Sequence, residues 1–152
     1  MKNISVRRLV SVIAVACCLV SSLVVAVGQS PDTAHTPEKG SAERKAIMDA
    51  LREDFKKAND QQVVFQVNYL KVHNGWAWTD TTPLDAKGKP VAEGGTSLLH
   101  NVSGTWQVID LSTISEDPDN PMGQEEASPG FVKNLRKKYP DVPLDIFPKR
   151  KK

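Results

Sequence analysis

Histidine is the side chain best suited to acid–base chemistry at neutral pH, and this chain of 152 residues contains three. His35 lies in a polar N-terminal segment, His73 precedes a predicted turn, and His100 lies in a predicted strand. A hydrolase needs a nucleophile beside such a base, but the sequence contains no Gly-x-Ser-x-Gly motif. A zinc site needs three or four closely spaced ligands, and neither His73 nor His100 has them. We therefore predict no catalytic residue, no cofactor and no metal site.

Carboxylates offer a second kind of chemistry, because two of them in one cleft can act as acid and base. Asp80, Asp85 and Glu93 lie in or next to a turn-rich segment of the chain. An enzyme that acts on cell-envelope material through such carboxylates is our alternative prediction. It requires that at least two of these side chains converge in one cleft.

The oxygen-rich run Asp117-Pro118-Asp119-Asn120, followed by Gly123 and Glu125-Glu126, has the composition of a calcium-binding loop. It departs from the EF-hand pattern, since Pro121 occupies the place of the fifth-position ligand and the glycine comes one residue late. We expect a solvated acidic loop here, and an irregular calcium site is the alternative.

Long loops on a rigid scaffold are where binding usually resides, and residues 82–96 form a polar, turn-rich segment. We therefore predict a binding surface at one rim of the sheet. This candidate binding rim consists of His73, Trp76, Asp85, Lys87 and Lys89. The hypothesis expects Trp76 to be partly exposed, and Trp78 and Trp106 to be buried. A purely structural contact between His73 and Trp76 is the alternative.

The first 28 residues have the pattern of a signal peptide. Lys2, Arg7 and Arg8 precede an apolar stretch, Leu9–Val27, and small residues at Ala26 and Gly28 suit a cleavage site. The mature chain would then begin at Gln29. We expect an exported, periplasmic or secreted protein. Retention of residues 9–27 as a membrane anchor and lipid attachment at Cys17 are the alternatives.

Removal of this leader changes the charge and the cysteine content. The leader carries three of the 20 basic residues and none of the 18 acidic ones, so 17 basic and 18 acidic residues remain, with a net charge of −1. This balance does not favour nucleic acid as a partner. Both cysteines, Cys17 and Cys18, also lie in the leader. The mature protein would therefore have no disulfide, although its compartment would permit one.

Positive charge is concentrated at the C-terminal end of the chain. The basic residues there are Lys133, Arg136, Lys137, Lys138, Lys149, Arg150, Lys151 and Lys152. Such a cluster can meet anionic lipid, cell-wall polymer or an acidic partner, or it can simply keep the chain soluble. We expect an envelope protein or polymer as the partner, and a membrane only if the leader is retained.

Periodicity predicts one helix after a flexible linker, 29–40, in which nothing can be buried profitably. Ser41 is the expected N-cap, and Ile47, Leu51 and Phe55 form an apolar stripe with the spacing of one helix face. A second helix is predicted from Ser128-Pro129 to about Tyr139.

Two hairpins are predicted between these helices. Asn74-Gly75 is the signature of a type I′ turn, which places His73 opposite Trp76, and Ser103-Gly104 marks the second turn. Alternation along the first hairpin predicts one core-facing set of side chains and a mostly solvated opposite face, which includes Thr79 and Thr81. The core-facing set is Val63, Phe65, Val67, Tyr69, Trp76 and Trp78.

The elements predict an α+β fold, in which an N-terminal helix packs on a four-stranded antiparallel sheet built from two hairpins, with a C-terminal helix added. The single domain spans residues 41–148 and ends in a basic tail, 149–152. In the stretch before this tail, Leu144, Ile146 and Phe147 are expected to pack back on the domain.

Several motifs resemble a group of small exported bacterial proteins of uncharacterised function. The resemblance covers roughly residues 41–147 and implies a bacterial periplasmic or secreted protein, without implying a catalytic residue. Its motifs are Trp76-Ala77-Trp78, the turn at residues 85–90, Gly94-Gly95-Thr96-Ser97-Leu98-Leu99 and Gly104-Thr105-Trp106-Gln107-Val108-Ile109. The order of elements is also similar to that of cystatin-like folds. We predict a small binding or accessory module without catalytic activity.

Overall fold

The computed structural model describes residues 32–149, and the predicted signal peptide lies outside them. The fold is α+β, as predicted, with a four-stranded antiparallel sheet in the order β1-β2-β3-β4. The elements are α1 (Ala42–Asn59), β1 (Val64–His73), β2 (Trp76–Leu84), β3 (Gly95–Val102), β4 (Thr105–Ile109) and α2 (Pro129–Lys138), with short 3-10 turns at Leu111–Thr113 and Leu144–Ile146.

Both helices begin at the predicted serine caps. The Ser41 hydroxyl accepts a hydrogen bond from the Arg44 amide at 3.2 Å, and the Ser128 hydroxyl accepts one from the Phe131 amide at 3.1 Å. Each bond satisfies an amide that has no partner within its own helix. Pro129 occupies the first turn of α2, where its fixed φ suits the helix.

The two hairpin turns are those that the sequence predicts. Asn74 and Gly75 have φ angles of 48° and 75°, and Ser103 and Gly104 have 52° and 87°. Positive φ at both central residues twists the turn in the sense that the strands require. His73 consequently pairs with Trp76, as predicted.

A bulge at Asn68 reverses the faces of β1. The register of β1 against β2 shifts between Val67 and Tyr69. One extra residue moves all later side chains to the opposite face. Phe65 and Val67 therefore lie on the α1 side together with Leu70 and Val72, whereas Tyr69 lies on the other side. The prediction that Phe65, Val67, Tyr69, Trp76 and Trp78 share one face is wrong for this reason.

Both faces of the sheet are covered. Helix α1 covers one face, where Ile47 and Leu51 pack against Leu99 and Trp106. The chain after β4 covers the other face, where its apolar side chains pack around Trp76 and Trp78. The prediction of a mostly solvated face holds for Val64, Gln66 and Asn68 on β1, which are exposed. It is wrong for Thr79 and Thr81 on β2, which are buried.

The described part of the predicted linker, 32–40, is bonded to the domain. His35 and Val72 exchange two backbone hydrogen bonds, of 3.0 and 2.8 Å, along the outer edge of β1. The Thr36 hydroxyl donates to the Leu70 carbonyl at 3.1 Å, and Pro37 is buried. Contrary to expectation, this segment therefore contributes to the packed structure.

The chain that follows α2 packs back on the sheet, although not in every predicted position. Ile146 and Phe147 are buried, as expected, and so is Val142. Leu144 is 59% exposed, because it lies on the outer side of the 3-10 turn whose inner side carries Ile146.

Candidate functional site

The candidate binding rim is divided between opposite ends of the sheet. His73 and Trp76 flank the turn between β1 and β2, whereas Asp85, Lys87 and Lys89 follow the far end of β2. The nine residues of β2 separate the two groups by roughly 30 Å, at about 3.3 Å per residue. The structure therefore does not bring these five residues together.

Trp76 is buried, contrary to the expectation that it is partly exposed. Its exposed fraction is 5%, close to the 0% of Trp78 and the 8% of Trp106. The indole stacks on the His100 imidazole with ring centres 3.9 Å apart, and the Tyr139 ring packs edge-on at 5.7 Å. Tyr139 is the C-cap residue of α2, so the end of this helix contributes to the burial of Trp76.

His73 forms a dyad with a carboxylate of the C-terminal segment. Its Nδ1 lies 2.7 Å from Asp145 Oδ1, and the Ala34 amide donates to Asp145 Oδ2 at 3.0 Å. Partial burial opposes ionisation of Asp145, but the hydrogen bonds from His73 and Ala34 outweigh it and hold its pKa below the ordinary value. These contacts join three distant parts of the chain, which gives the dyad a structural role.

Two of the carboxylates predicted for an enzyme are occupied by local contacts. Asp85 Oδ1 accepts hydrogen bonds from the amides of Lys87 and Lys89, both at 2.8 Å, and so closes its own turn. Asp80 Oδ1 accepts one from the Asn68 amide group at 3.2 Å. Only Glu93 lines a cleft.

The acidic loop packs against the start of α2. The Ser128 hydroxyl donates a short hydrogen bond to Asp117 Oδ2, and the Asp117 carboxylate lies against Gly130. Asn120 donates to Glu126 Oε2 at 2.9 Å. Within residues 32–149 no three His, Cys, Asp or Glu side chains are grouped as metal ligands would be.

A cleft lies between the last turns of α1 and the sheet, with a volume of about 220 Å³. We name it the helix–sheet cleft. Phe55 and Phe65 pack edge to face in its wall, with ring centres 6.0 Å apart. Its polar lining consists of carboxylates, hydroxyls and one amide, namely Asp54, Glu93, Thr81, Thr96, Ser97 and Asn59.

A second hollow, of about 440 Å³, adjoins this cleft. The two share Asp54, Thr96 and Ser97, and the second adds Asp110, Ser112 and Gln124. The pKa of Asp110 is lowered by hydrogen bonds from the Ser112 hydroxyl and amide, so this carboxylate is ionised well below neutral pH. The lining of both hollows therefore carries negative charge and hydrogen-bonding groups, and includes no lysine, arginine or histidine.

Sequence analysis identified only part of this cleft. Of the segment predicted as a long loop, Pro83, which belongs to β2, and Glu93 line the cleft. Gly94 lets the loop return close to β2, because a Cβ there would lie 2.8 Å from the Thr82 hydroxyl. Asp54 was missed, because it lies among exposed polar residues of α1. The sequence feature that could have indicated Asp54 is its position next to Phe55, the last residue of the apolar stripe.

In the described part of the chain, no helix is both long and apolar enough to cross a membrane. A comparison with protein families, with curated proteins and with solved structures finds no match to this chain.

Proposed function

We propose that this chain is a small exported binding module that is not an enzyme, and that its helix–sheet cleft binds a polyhydroxylated ligand such as a sugar unit of an envelope polymer. The observation that carries this proposal is the lining of the cleft. Asp54 and Glu93 line the cleft together with three hydroxyl side chains and the Phe55–Phe65 pair.

The chemistry of this lining suits a sugar. Carboxylates accept hydrogen bonds from hydroxyl groups, and threonine and serine can both donate and accept them. The apolar faces of Phe55 and Phe65 provide a surface for the C–H groups of a sugar ring. The cleft alone, at about 220 Å³, is smaller than the roughly 300–1,000 Å³ usual for small-ligand sites, and the adjoining hollow of about 440 Å³ offers room for the rest of a longer ligand.

The three carboxylates predicted for an enzyme do not converge in the cleft. Of the three residues proposed for an enzyme, Asp80 and Asp85 make local hydrogen bonds, and Glu93 alone lines the cleft. An acid–base pair would require a second carboxylate in the cleft, and Asp54 is the one that could serve.

The proposal can be tested by titrating the purified protein with oligomers of N-acetylglucosamine while recording amide chemical shifts. Residues of the cleft are expected to shift, and Asp54→Asn is expected to weaken binding at least about tenfold, because hydrogen bonds to a charged group are lost. Glu53→Gln is the matched control, since Glu53 precedes Asp54 on α1 but pairs outward with Lys57 at 2.9 Å.

Three outcomes of this titration are informative. Equal loss of affinity in both variants, or shifts confined to other surfaces, would contradict the proposal. Cleavage of the oligomers by the wild type, and its loss in Asp54→Asn, would instead support the alternative hypothesis that the protein is an enzyme. Export is tested separately by mass spectrometry of the protein from its native cells, for which we expect Gln29 as the first residue.

A further inference from the structure

A second groove lies on the other side of the sheet, between α2 and the segment that follows it. Its volume is about 570 Å³. We name it the basic groove. It is lined by apolar residues and by cations, namely Pro129, Val132, Pro140 and Leu144 together with Lys133, Arg136 and Lys137.

The cations of this groove point to an anionic partner. Lys133, Arg136 and Lys137 are all exposed. Arg136 donates to the Pro140 carbonyl at 3.1 Å and Lys137 to the Asn134 side-chain carbonyl at 3.0 Å, so these two contacts are with neutral oxygens. Leu144 projects beside them with 59% of its surface exposed. A large apolar side chain among cations is the combination found where proteins meet anionic lipid.

The described N-terminal end lies beside this groove. The Ala34 amide bonds to Asp145, the residue next to Leu144. The apolar stretch of the sequence ends at Val27, seven residues before Ala34, and seven residues span at most roughly 25 Å. At the other end of the chain, Lys149 is exposed and is followed in the sequence by three more basic residues.

We propose that the basic groove docks on a bilayer that contains anionic phospholipid, with Leu144 among the acyl chains and Lys133, Arg136 and Lys137 on the phosphates. This inference is independent of the helix–sheet cleft and does not require a retained leader. It thus goes beyond the expectation that the protein meets a membrane only through that leader.

The lining of the groove favours lipid over an acidic peptide. A bound peptide must find partners for its backbone N–H and C=O groups. Pro129 and Pro140 have no N–H to offer, the Val132 amide already bonds to the Ser128 carbonyl at 2.8 Å, and the Pro140 carbonyl is taken by Arg136. An alkyl chain has no hydrogen-bonding groups and therefore needs no such partners.

The proposal can be tested by measuring hydrogen exchange of the full chain in the presence of vesicles. One set of vesicles contains phosphatidylcholine alone, and the other contains phosphatidylcholine mixed with phosphatidylglycerol. We expect residues 129–147 to be protected only when phosphatidylglycerol is present, because the contact depends on lipid charge. The leader carries Lys2, Arg7 and Arg8 and can itself favour anionic vesicles, so variants that leave the leader unchanged are needed to isolate the contribution of the groove.

Two variants and one control make the test specific. Replacement of Lys133, Arg136 and Lys137 by Gln is expected to reduce partitioning of the domain onto anionic vesicles roughly 100-fold, at about fivefold for each cation. Leu144→Asp is expected to abolish the protection without disturbing the fold, because the side chain is exposed. The control replaces three exposed lysines elsewhere, Lys39, Lys56 and Lys87, by Gln.

The proposal is overturned if the control variant loses as much binding as the groove variant. Equal protection on both kinds of vesicle would also overturn it. So would equal protection by soluble polyphosphate, since the groove would then recognise an acidic polymer and not a bilayer.

Discussion

His73 and Asp145, 72 residues apart in the chain, lie side by side with 2.7 Å between Nδ1 and Oδ1. The same carboxylate accepts the Ala34 amide, so one side chain joins the first hairpin, the N-terminal segment and the C-terminal segment. Next to it, the Tyr69 hydroxyl donates to the Ile146 carbonyl at 3.0 Å. Burial raises the pKa of Tyr69, and the negative charge of Asp145 raises it further.

The Asp145 contacts predict a stability difference that depends on pH. The pKa of Asp145 is lower in the folded protein than its ordinary value of 3.8, so its contribution is complete above 3.8 and is lost as the pH falls through the folded-state value. Because this side chain is 43% exposed, solvent screens the effect. We expect Asp145→Asn to lower the free energy of unfolding by about 0.5–1 kcal/mol at neutral pH, measured by urea unfolding.

The matched control is Asp141→Asn, which removes an exposed carboxylate from the same segment. It is expected to leave the free energy of unfolding within about 0.5 kcal/mol of that of the wild type. The difference between wild type and Asp145→Asn is expected to shrink as the pH falls below 3.8 and through the folded-state pKa of Asp145, because the carboxyl group then becomes protonated. A difference that persists at such a pH would mean that the loss comes from packing.

The order and type of the elements could be predicted from the sequence, because they rest on local signals. Ser41 and Ser128 cap helices, and Asn74-Gly75 permits positive φ wherever it occurs. The face of the sheet on which each strand residue lies could not be predicted in this way, because it depends on pairing between strands. The bulge at Asn68 arises in the pairing of β1 with β2, and this shift puts Leu70 and Val72 on the same face as Phe65 and Val67.

The bulge itself predicts two very different mutational effects. Deletion of Asn68 would restore regular pairing at the cost of moving Phe65 and Val67 to the wrong side of the sheet, so we expect no cooperative unfolding transition by circular dichroism. Asn68→Ala keeps the register and loses the side-chain bonds to Asp80 and Thr82, so a loss of about 1 kcal/mol is expected. A folded deletion variant would show that register is not set by these faces.

The site was less predictable than the fold, because clefts are made by residues distant in sequence. The composition of the long loop predicts a binding element, and Glu93 in this loop lines the cleft. The complementary wall comes from Asp54 and Phe55 on α1, a pairing that no local pattern indicates. Trp76 was misplaced because α2 and Tyr139 return to cover it only after the chain has completed the sheet.

Burial of all three tryptophans predicts uniform shielding from solvent. In variants that keep one tryptophan and replace the other two by Phe, acrylamide is expected to quench Trp76, Trp78 and Trp106 weakly and to similar extents, since each is at most 8% exposed. The same variants unfolded in urea provide the fully accessible reference. Markedly stronger quenching of Trp76 would contradict its burial beneath α2 and Tyr139.

The contact between Asp117 and the start of α2 predicts that one glycine cannot be replaced. Alanine within a helix is normally more stable than glycine by about 1 kcal/mol. At Gly130, however, an added Cβ would lie closer than 3.0 Å to the Asp117 carboxylate, so α2 or the acidic loop must move. We expect Gly130→Ala to lower the free energy of unfolding by about 1–3 kcal/mol, as overpacking does. Gly95→Ala is the matched control, because a Cβ there meets nothing within 4 Å, and it should change stability little. If both variants unfold at the same urea concentration, the acidic loop does not pack tightly on α2.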